Sequence, residues 1–144
     1  MRFNFISLNN LFFIKQRDAM DCGPTCLSMI CRFYDKNISI QKLREKTEIG
    51  KEGVSLLGIN NAAESIGFRT QGVQLNYNQL TKEAPLPCIL HWGQNHFVVL
   101  SKAKRNKLTI ADPGIGIIKL SKELFLRRGS CLHEPYSNIN LLLM

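Results

Sequence analysis

Residues 15–27 read KQRDAMDCGPTCL, and this stretch decides how the chain folds. Pro24 fits the first turn of a helix, where its missing N–H has no intrahelical partner. Asp21 is placed to cap that turn, and Gly23 lets the backbone bend sharply into it. Because apolar residues then recur at helical spacing, the sequence predicts a helix over residues 22–34 with one face to bury.

Cys22 stands at the junction where this helix begins. The unpaired N–H groups and the dipole of a helix N-terminus favour the ionised form of a thiol. Cys22 is therefore a candidate nucleophile, provided that a histidine reaches it from elsewhere in the chain. The alternative is a structural role, because free cysteines are usually small buried apolar side chains. We give that role to the remaining cysteines, which are Cys26, Cys31, Cys88 and Cys131.

The chain has 144 residues, which favours one domain with a real hydrophobic core. Its content of 44% apolar and 21% charged residues is ordinary for a globular protein. The 5 cysteines form no CxxC pair and no zinc-finger spacing. An odd number at irregular intervals argues against a disulfide framework and suits a reducing compartment.

The formal net charge of +8 fits an acidic peptide partner, an anionic membrane face or nucleic acid, as well as a merely basic surface. Nucleic acid is the least favoured, because the basic residues are spread out and belong to no recognisable nucleic-acid module. No run reaches the ~20 apolar residues of a membrane span. Residues 1–15 are apolar but interrupted by asparagines, so we interpret them as a strand or docking segment rather than a signal peptide.

The first half of the chain is predicted to be helical. Ser39 and Ser55 are N-caps for a second helix that ends near Thr47 and a third that ends at Gly67. The second half alternates short apolar runs with turn residues, which indicates strands. We predict strands at 68–75, 88–92, 96–100, 108–112 and 115–120, a short helix or turn at 76–83, and a last helix at 121–125. Helices followed by antiparallel strands define an α+β domain with the helices on one face of a sheet.

Three histidines are candidate partners for the thiol: His91, His96 and His133. His133 lies in the C-terminal tail and is interpreted as a surface residue. His96 begins a strand directly after a Gly-containing loop, so its ring is expected at the edge of the sheet. If that strand and the strand at 108–112 pair about the polar turn between them, His96 faces Asp112.

A carboxylate opposite a histidine can accept its ring N–H and so fix its tautomer and orientation. Asp112 has a second, compatible interpretation as the first residue of an Asp-Pro-Gly turn. Gln16 precedes Cys22 by six residues, and its side-chain amide could donate to an oxyanion beside the Cys22 N–H. Taken alone, Gln16 is an ordinary polar loop residue.

These residues belong to a longer pattern that comprises Gln16, residues 21–23, 26–27, 53–58, 63–68, 95–100 and 110–113. The combined pattern resembles the leader-peptidase domain of bacteriocin-processing ABC transporters, a branch of the papain-like cysteine peptidases. The resemblance extends over residues 10–128. It implies a papain-like fold in which N-terminal helices pack on a C-terminal antiparallel β-sheet.

The resemblance also implies roles for individual residues. Cys22 is the nucleophile, and His96 is the general base and then the general acid. Asp112 orients His96, and Gln16 contributes to the oxyanion hole. The implied substrate is the leader of a secreted peptide, which docks as an amphipathic helix on an apolar surface and is cut after Gly-Gly or Gly-Ala. Family members need no metal or organic cofactor and lie on the cytoplasmic side of the membrane, fused to a membrane-spanning region and an ATPase.

The sequence departs from that family in containing neither the membrane region nor a GxxxxGK[ST] P-loop. We therefore expect a free-standing peptidase, an excised domain or a truncated product, with the peptidase domain at 1–128 and a tail at 129–144. Apolar residues within 138–144 could supply a closing strand. A non-catalytic peptide-binding module and a papain-like transglutaminase or amidase remain alternatives. The presence of all four catalytic-type residues favours the peptidase.

Overall fold

The computed structural model describes residues 11–50, 53–93, 95–129 and 139–144. The interpretations given above for residues 1–10, Cys131 and His133 lie outside the described residues. The elements in chain order are α1 (Cys22–Phe33), α2 (Ile40–Thr47), α3 (Leu56–Ser65), β1 (Gln71–Leu75), α4 (Tyr77–Glu83), β2 (Cys88–Trp92), β3 (His96–Lys104), β4 (Lys107–Asp112), β5 (Gly116–Ser121), α5 (Lys122–Gly129) and β6 (Ile139–Leu143).

The strands form one sheet in the order β1-β6-β2-β3-β4-β5, and every neighbouring pair is antiparallel. β6 comes from the C-terminal stretch whose conformation the sequence left open, and it lies inside the sheet rather than at an edge. Leu141 of this strand pairs with Val73 of β1 on one side and with Leu90 of β2 on the other. β6 therefore connects β1 to the hairpin that carries His96.

Helices cover both faces of the sheet. α1, α2 and α3 lie on one face, where Leu27 and Ile89 share a buried cluster. α4 and α5 lie on the opposite face, where Leu80 and Phe125 pack with Leu90. The predicted α+β class is confirmed, but the expectation that the helices share one face holds only for α1–α3. The neighbours Ile89 and Leu90 are both 0% exposed, so β2 is apolar on both faces and both need a cover.

Several predicted element boundaries are confirmed by their caps. Ser39 and Ser55 each accept a hydrogen bond from the backbone N–H of the third residue of the helix that follows, at 3.2 and 3.0 Å. The segment at 76–83 is a helix rather than a turn, because it begins with a capping box. β1 begins later than predicted, at Gln71, and α5 continues beyond the predicted end to Gly129.

Gly58, in the first turn of α3, allows this helix to approach the end of α2 closely. A Cβ at Gly58 would lie 2.6 Å from the carbonyl oxygen of Thr47, a backbone atom that cannot move alone. We expect Gly58→Ala to lower the free energy of unfolding by about 1–3 kcal/mol, measured by equilibrium urea denaturation. Gly72→Ala is the matched control, because a Cβ there meets nothing within 4 Å. Equal losses in the two variants would contradict the close approach.

Candidate active site

Cys22 is the first residue of α1, and only 4% of it is exposed. Pro24 lies in the first helical turn, as predicted. Gly23 lies inside α1 without a positive φ, so the predicted sharp bend at this residue is wrong. Glycine is favoured there because a side chain would be crowded: a Cβ would lie 3.1 Å from Val54 and 3.2 Å from the side chain of Ile59.

Asp21 occupies the N-cap position of α1, but its carboxylate makes no capping hydrogen bond, contrary to the prediction. Its Oδ1 instead lies 3.0 Å from Nε of Arg44 on α2. The Asp21 carboxylate is buried, so this ion pair compensates a charge that water does not reach. The pair fixes α2 against the end of α1 at which Cys22 lies.

His96 begins β3, and Asp112 ends β4. Nε2 of His96 lies 2.7 Å from Oδ1 of Asp112, and the same oxygen accepts the backbone N–H of Gly114 at 2.9 Å. Asp112 is only 3% exposed. The contact that the sequence predicts between these two side chains is therefore present, with the carboxylate buried and the imidazole partly exposed.

The register from which that contact was predicted is wrong by two residues. β3 and β4 pair Val99 with Ala111, whereas the assumed turn would pair it with Thr109. The actual turn lies further along the chain and shifts the pairing beside it by three residues, and a bulge between Leu100 and Lys102 reduces the shift to two. Side chains on a strand alternate between faces with a period of two. A two-residue shift therefore leaves His96 and Asp112 on the same face, where they meet as diagonal neighbours.

The side chain of Cys22 lies close enough to the imidazole of His96 to interact with it. Because Asp112 engages Nε2, Nδ1 is the ring nitrogen left for the sulfur. The hydrogen bond to Asp112, and after it the interaction with Cys22, raise the pKa of His96 to about 9, although burial alone would lower it. The ring is therefore protonated at neutral pH and places a cation beside the sulfur.

Asp112 supplies a carboxylate that stays negatively charged beside His96. Burial alone would raise the pKa of Asp112, but the hydrogen bonds from His96 and from the N–H groups of Gly114 and Ile115 outweigh burial and leave the pKa below its usual value. The carboxylate is therefore ionised at neutral pH. It holds one ring nitrogen and so determines which way the imidazole points.

Gln16 lies beside the turn that follows Asp112. Its backbone N–H donates to the carbonyl of Pro113 at 2.8 Å, and its side-chain Nε2 donates to the carbonyl of Asp18 at 3.0 Å. Its Oε1 is buried and has no hydrogen-bond partner among the described residues. The structure thus brings Gln16 to the same end of the sheet as Asp112.

Cys26, one turn after Cys22, takes part in this arrangement in a way that the sequence did not predict. It is fully buried and donates its S–H to the carbonyl of Phe97 at 3.3 Å. Burial raises the pKa of this thiol well above its usual value, so it stays protonated and can donate. Because Phe97 directly follows His96, the bond ties the helix of Cys22 to the strand of His96. Its place on the apolar face of α1 was the only sequence signal, and it does not reveal the acceptor.

The other described cysteines and histidine lie outside this group. Burial raises the pKa of Cys31 to about 11 and that of Cys88 to about 12, which fits the structural roles predicted for both. The ring of His91 stacks on that of Phe97, with centroids 5.0 Å apart. Among the described residues, no three His, Cys, Asp or Glu side chains are grouped so that they could hold a metal ion. In the same part of the chain, no helix has the length and apolarity to span a membrane.

Comparisons with known proteins agree on one family. The model of the peptidase C39 family matches residues 10–129. The colicin V secretion/processing ATP-binding protein CvaB of Escherichia coli is 42% identical over 110 residues, which are 76% of this chain and 16% of the relative. The lactococcin-G-processing and transport ATP-binding protein LagD of Lactococcus lactis subsp. lactis is 36% identical over 111 residues, 74% of this chain and 16% of the relative. The chain thus spans about a sixth of the length of these relatives.

Solved structures show the same fold. A double-glycine motif protease from the AMS/PCAT transporter, in complex with the leader peptide, has a TM-score of 0.80 and 32% identity, over 90% of this chain and 87% of that one. The peptidase domain of Streptococcus ComA, a bifunctional ABC transporter of a quorum-sensing pathway, has a TM-score of 0.79 and 28% identity, over 93% of this chain and 98% of that one.

This fold, with a thiol facing an imidazole, defines the class of the protein as a cysteine peptidase domain. More narrowly, the chain belongs to the peptidase C39 family, which confirms the resemblance described above.

Proposed function

We propose that this chain is a cysteine endopeptidase that cleaves double-glycine-type leader peptides from secreted, bacteriocin-like precursors. The observation that supports the proposal is the series of side chains from Cys22, which interacts with the His96 imidazole, to the buried Asp112 carboxylate, which is hydrogen-bonded to that imidazole. This series supplies a nucleophile, a proton carrier and an orienting carboxylate. Cleavage of a peptide bond through an acyl-enzyme uses the first two parts, and the carboxylate holds the proton carrier in position.

In the proposed mechanism, the ionised sulfur of Cys22 attacks the scissile carbonyl carbon and forms a C–S bond. The imidazolium of His96 gives its proton to the departing amine as the C–N bond breaks. A water molecule then loses a proton to the neutral ring and attacks the thioester carbon. The C–S bond breaks, the leader leaves with a new carboxyl terminus, and the thiolate and imidazolium are restored.

Gln16 is proposed as an oxyanion donor together with the backbone N–H of Cys22. The bond from its backbone to Pro113 holds Gln16 beside the turn that follows Asp112. One amide hydrogen is used by the carbonyl of Asp18, and the second is available to the oxygen that becomes negative as the sulfur attacks.

The substrate and partners in this proposal follow from the relatives. CvaB and LagD are named for secretion or transport together with processing, and the solved AMS/PCAT protease holds a leader peptide. We infer that this chain takes the leader segment of a precursor peptide. We further infer that it works with the membrane and ATPase regions of an ABC transporter, in cis or in trans. That arrangement places it in the cytoplasm at the inner face of the cell membrane.

The proposal is tested with the purified chain and a synthetic precursor whose leader ends in Gly-Gly, with the products identified by mass spectrometry. We expect one cut after Gly-Gly, and much slower cleavage when the second glycine is replaced by phenylalanine. Equal cleavage of both peptides would contradict the substrate class. Transfer of the leader to an added amine without hydrolysis would favour the transglutaminase or amidase alternative.

The same preparation separates a peptidase from a non-catalytic peptide-binding module through its reaction with iodoacetamide. In a Cys131→Ser background, a peptidase should have one fast-reacting thiol, at Cys22, which lies at the start of α1 beside the His96 imidazole. Cys31 and Cys88 are internal controls, since burial raises the pKa of each and slows its reaction. Slow reaction at every position would favour the binding module.

A further inference from the structure

A cavity of about 480 Å³ lies far from the thiol, between α4, the turn that joins β3 to β4, and the start of α5. β3 starts at His96 and ends at Lys104 beside this turn, so its eight residue steps place the cavity about 26 Å from His96 at ~3.3 Å per residue. The cavity is therefore separate from the candidate active site. Its lining residues are Asn78, Thr81, Lys82, Arg105, Asn106 and Lys122.

The lining has the chemistry of an anion site. It combines three cationic side chains with two amides, and no carboxylate lines the cavity among the described residues. The hydroxyl of Thr81 donates to carbonyls of its own helix and is not counted as a donor to a ligand. Within the same part of the chain, neither Lys82 nor Arg105 nor Lys122 forms an ion pair. Lys104 and Lys107, at the two ends of the turn, add to the positive potential.

The segments that carry these cations are joined by contacts within the protein. The backbone N–H of Lys122 donates to the carbonyl of Asn106 at 3.2 Å, and the hydroxyl of Tyr77 donates to the carbonyl of Arg105 at 3.2 Å. The Nζ of Lys122 lies 5.0 Å from the centroid of the Tyr77 ring. α4, α5 and the turn are thus joined at the cavity. Ligand binding therefore carries no free-energy cost for ordering these segments.

We propose that this cavity binds a phosphate-bearing anion, either a free phosphate compound or a phospholipid headgroup. The planar guanidinium of Arg105 can donate two parallel hydrogen bonds to a phosphate, and two lysines match its remaining charge. A single carboxylate has only two oxygens and one charge, too few for three cations and the two amides beside them. The volume lies within the range of small-molecule sites, roughly 300–1,000 Å³. This inference does not depend on the proposed peptidase activity.

The test uses the full chain and two phosphate sources. Inorganic diphosphate is titrated in a calorimeter, and binding to vesicles is measured by co-sedimentation with phosphatidylcholine alone or mixed with phosphatidylglycerol. Arg105→Gln should weaken binding at least about tenfold, the loss expected for one charge-assisted hydrogen bond. Lys82→Gln provides a second variant of the cavity. Lys42→Gln, on an exposed position of α2 across the sheet, removes the same charge and should change binding little.

Each result decides for or against the site. Diphosphate binding that depends on Arg105 and Lys82 but not on Lys42 supports a site for a free phosphate compound. Binding only to vesicles with phosphatidylglycerol, with the same dependence, supports a site for a lipid headgroup. Absence of both overturns the proposal, as does an equal loss in the Lys42 variant, which would indicate attraction by net charge alone. Equally tight binding of malonate would overturn the preference for phosphate.

Discussion

Cys22→Ala is expected to abolish cleavage of a precursor with a Gly-Gly leader while leader binding is retained. Without the sulfur no acyl-enzyme forms, so the rate should fall by at least about 10⁴-fold. The change removes one atom from a small residue at the start of α1, so the rest of the fold should be retained. Cleavage is followed by mass spectrometry over long incubations, and binding by the fluorescence anisotropy of a labelled leader.

Cys31→Ala is the matched control for this result. It removes the same atom from the same helix, but burial raises the pKa of Cys31 to about 11 and its side chain belongs to the buried core. We expect Cys31→Ala to keep cleavage and to lower the free energy of unfolding. Undiminished cleavage by Cys22→Ala would end the assignment of the nucleophile.

Asp112→Asn is expected to lower kcat/KM by up to about 10⁴-fold. A carboxylate can only accept from the ring, whereas an amide can also donate and so permits the wrong tautomer of His96. The loss should be smaller than for replacement of His96 itself, because Asp112 orients the ring and does not exchange protons with the substrate.

The pH dependence of this variant distinguishes orientation from packing. The hydrogen bond to Asp112 is the first cause of the rise in the pKa of His96 to about 9. In the wild type, kcat/KM should therefore fall on the alkaline side near that pH, as the ring loses its proton. In Asp112→Asn the fall should begin at lower pH, nearer the ~6.5 of an unperturbed histidine. An unchanged alkaline limb would contradict the role of Asp112.

The same pair should make stability depend on pH. The pKa of His96 is higher in the folded state than the ~6.5 expected when unfolded, so its contribution is fully present below that pH. It is lost as the pH rises through about 9. Urea denaturation should show the difference between wild type and Asp112→Asn shrinking over this window. Asp35→Asn is the control, since Asp35 is exposed with a φ of 58°, which asparagine tolerates.

The helical half of the fold could be predicted because its signals are local. Ser39 and Ser55 directly precede the helices that they cap. The apolar residues of α1 recur in each successive turn, so the buried face of this helix can be seen in a short stretch of sequence. The His96–Asp112 contact was also within reach, since one short turn joins their strands. That prediction survived a register error because the error was an even number of residues.

Contacts between distant segments had no such signal. Arg44 is one of many basic residues, and nothing near it in the sequence singles it out as the partner of Asp21. The acceptor for Cys26 is a backbone carbonyl, and every residue has one. The position of β6 between β1 and β2 depends on which strand edges are unpaired in the rest of the sheet. That is a property of the tertiary structure, and no local sequence pattern encodes it.

The position of β6 also affects how the protein matures during synthesis. Residues 139–143 are made after every other element, yet β1 and β2 have no hydrogen-bonded contact with each other except through them. While the chain is still emerging from the ribosome, both strands present bare backbone edges that invite pairing with other chains. We therefore expect the yield of folded protein to rise when a chaperone covers those edges or when residues 139–143 are synthesised quickly.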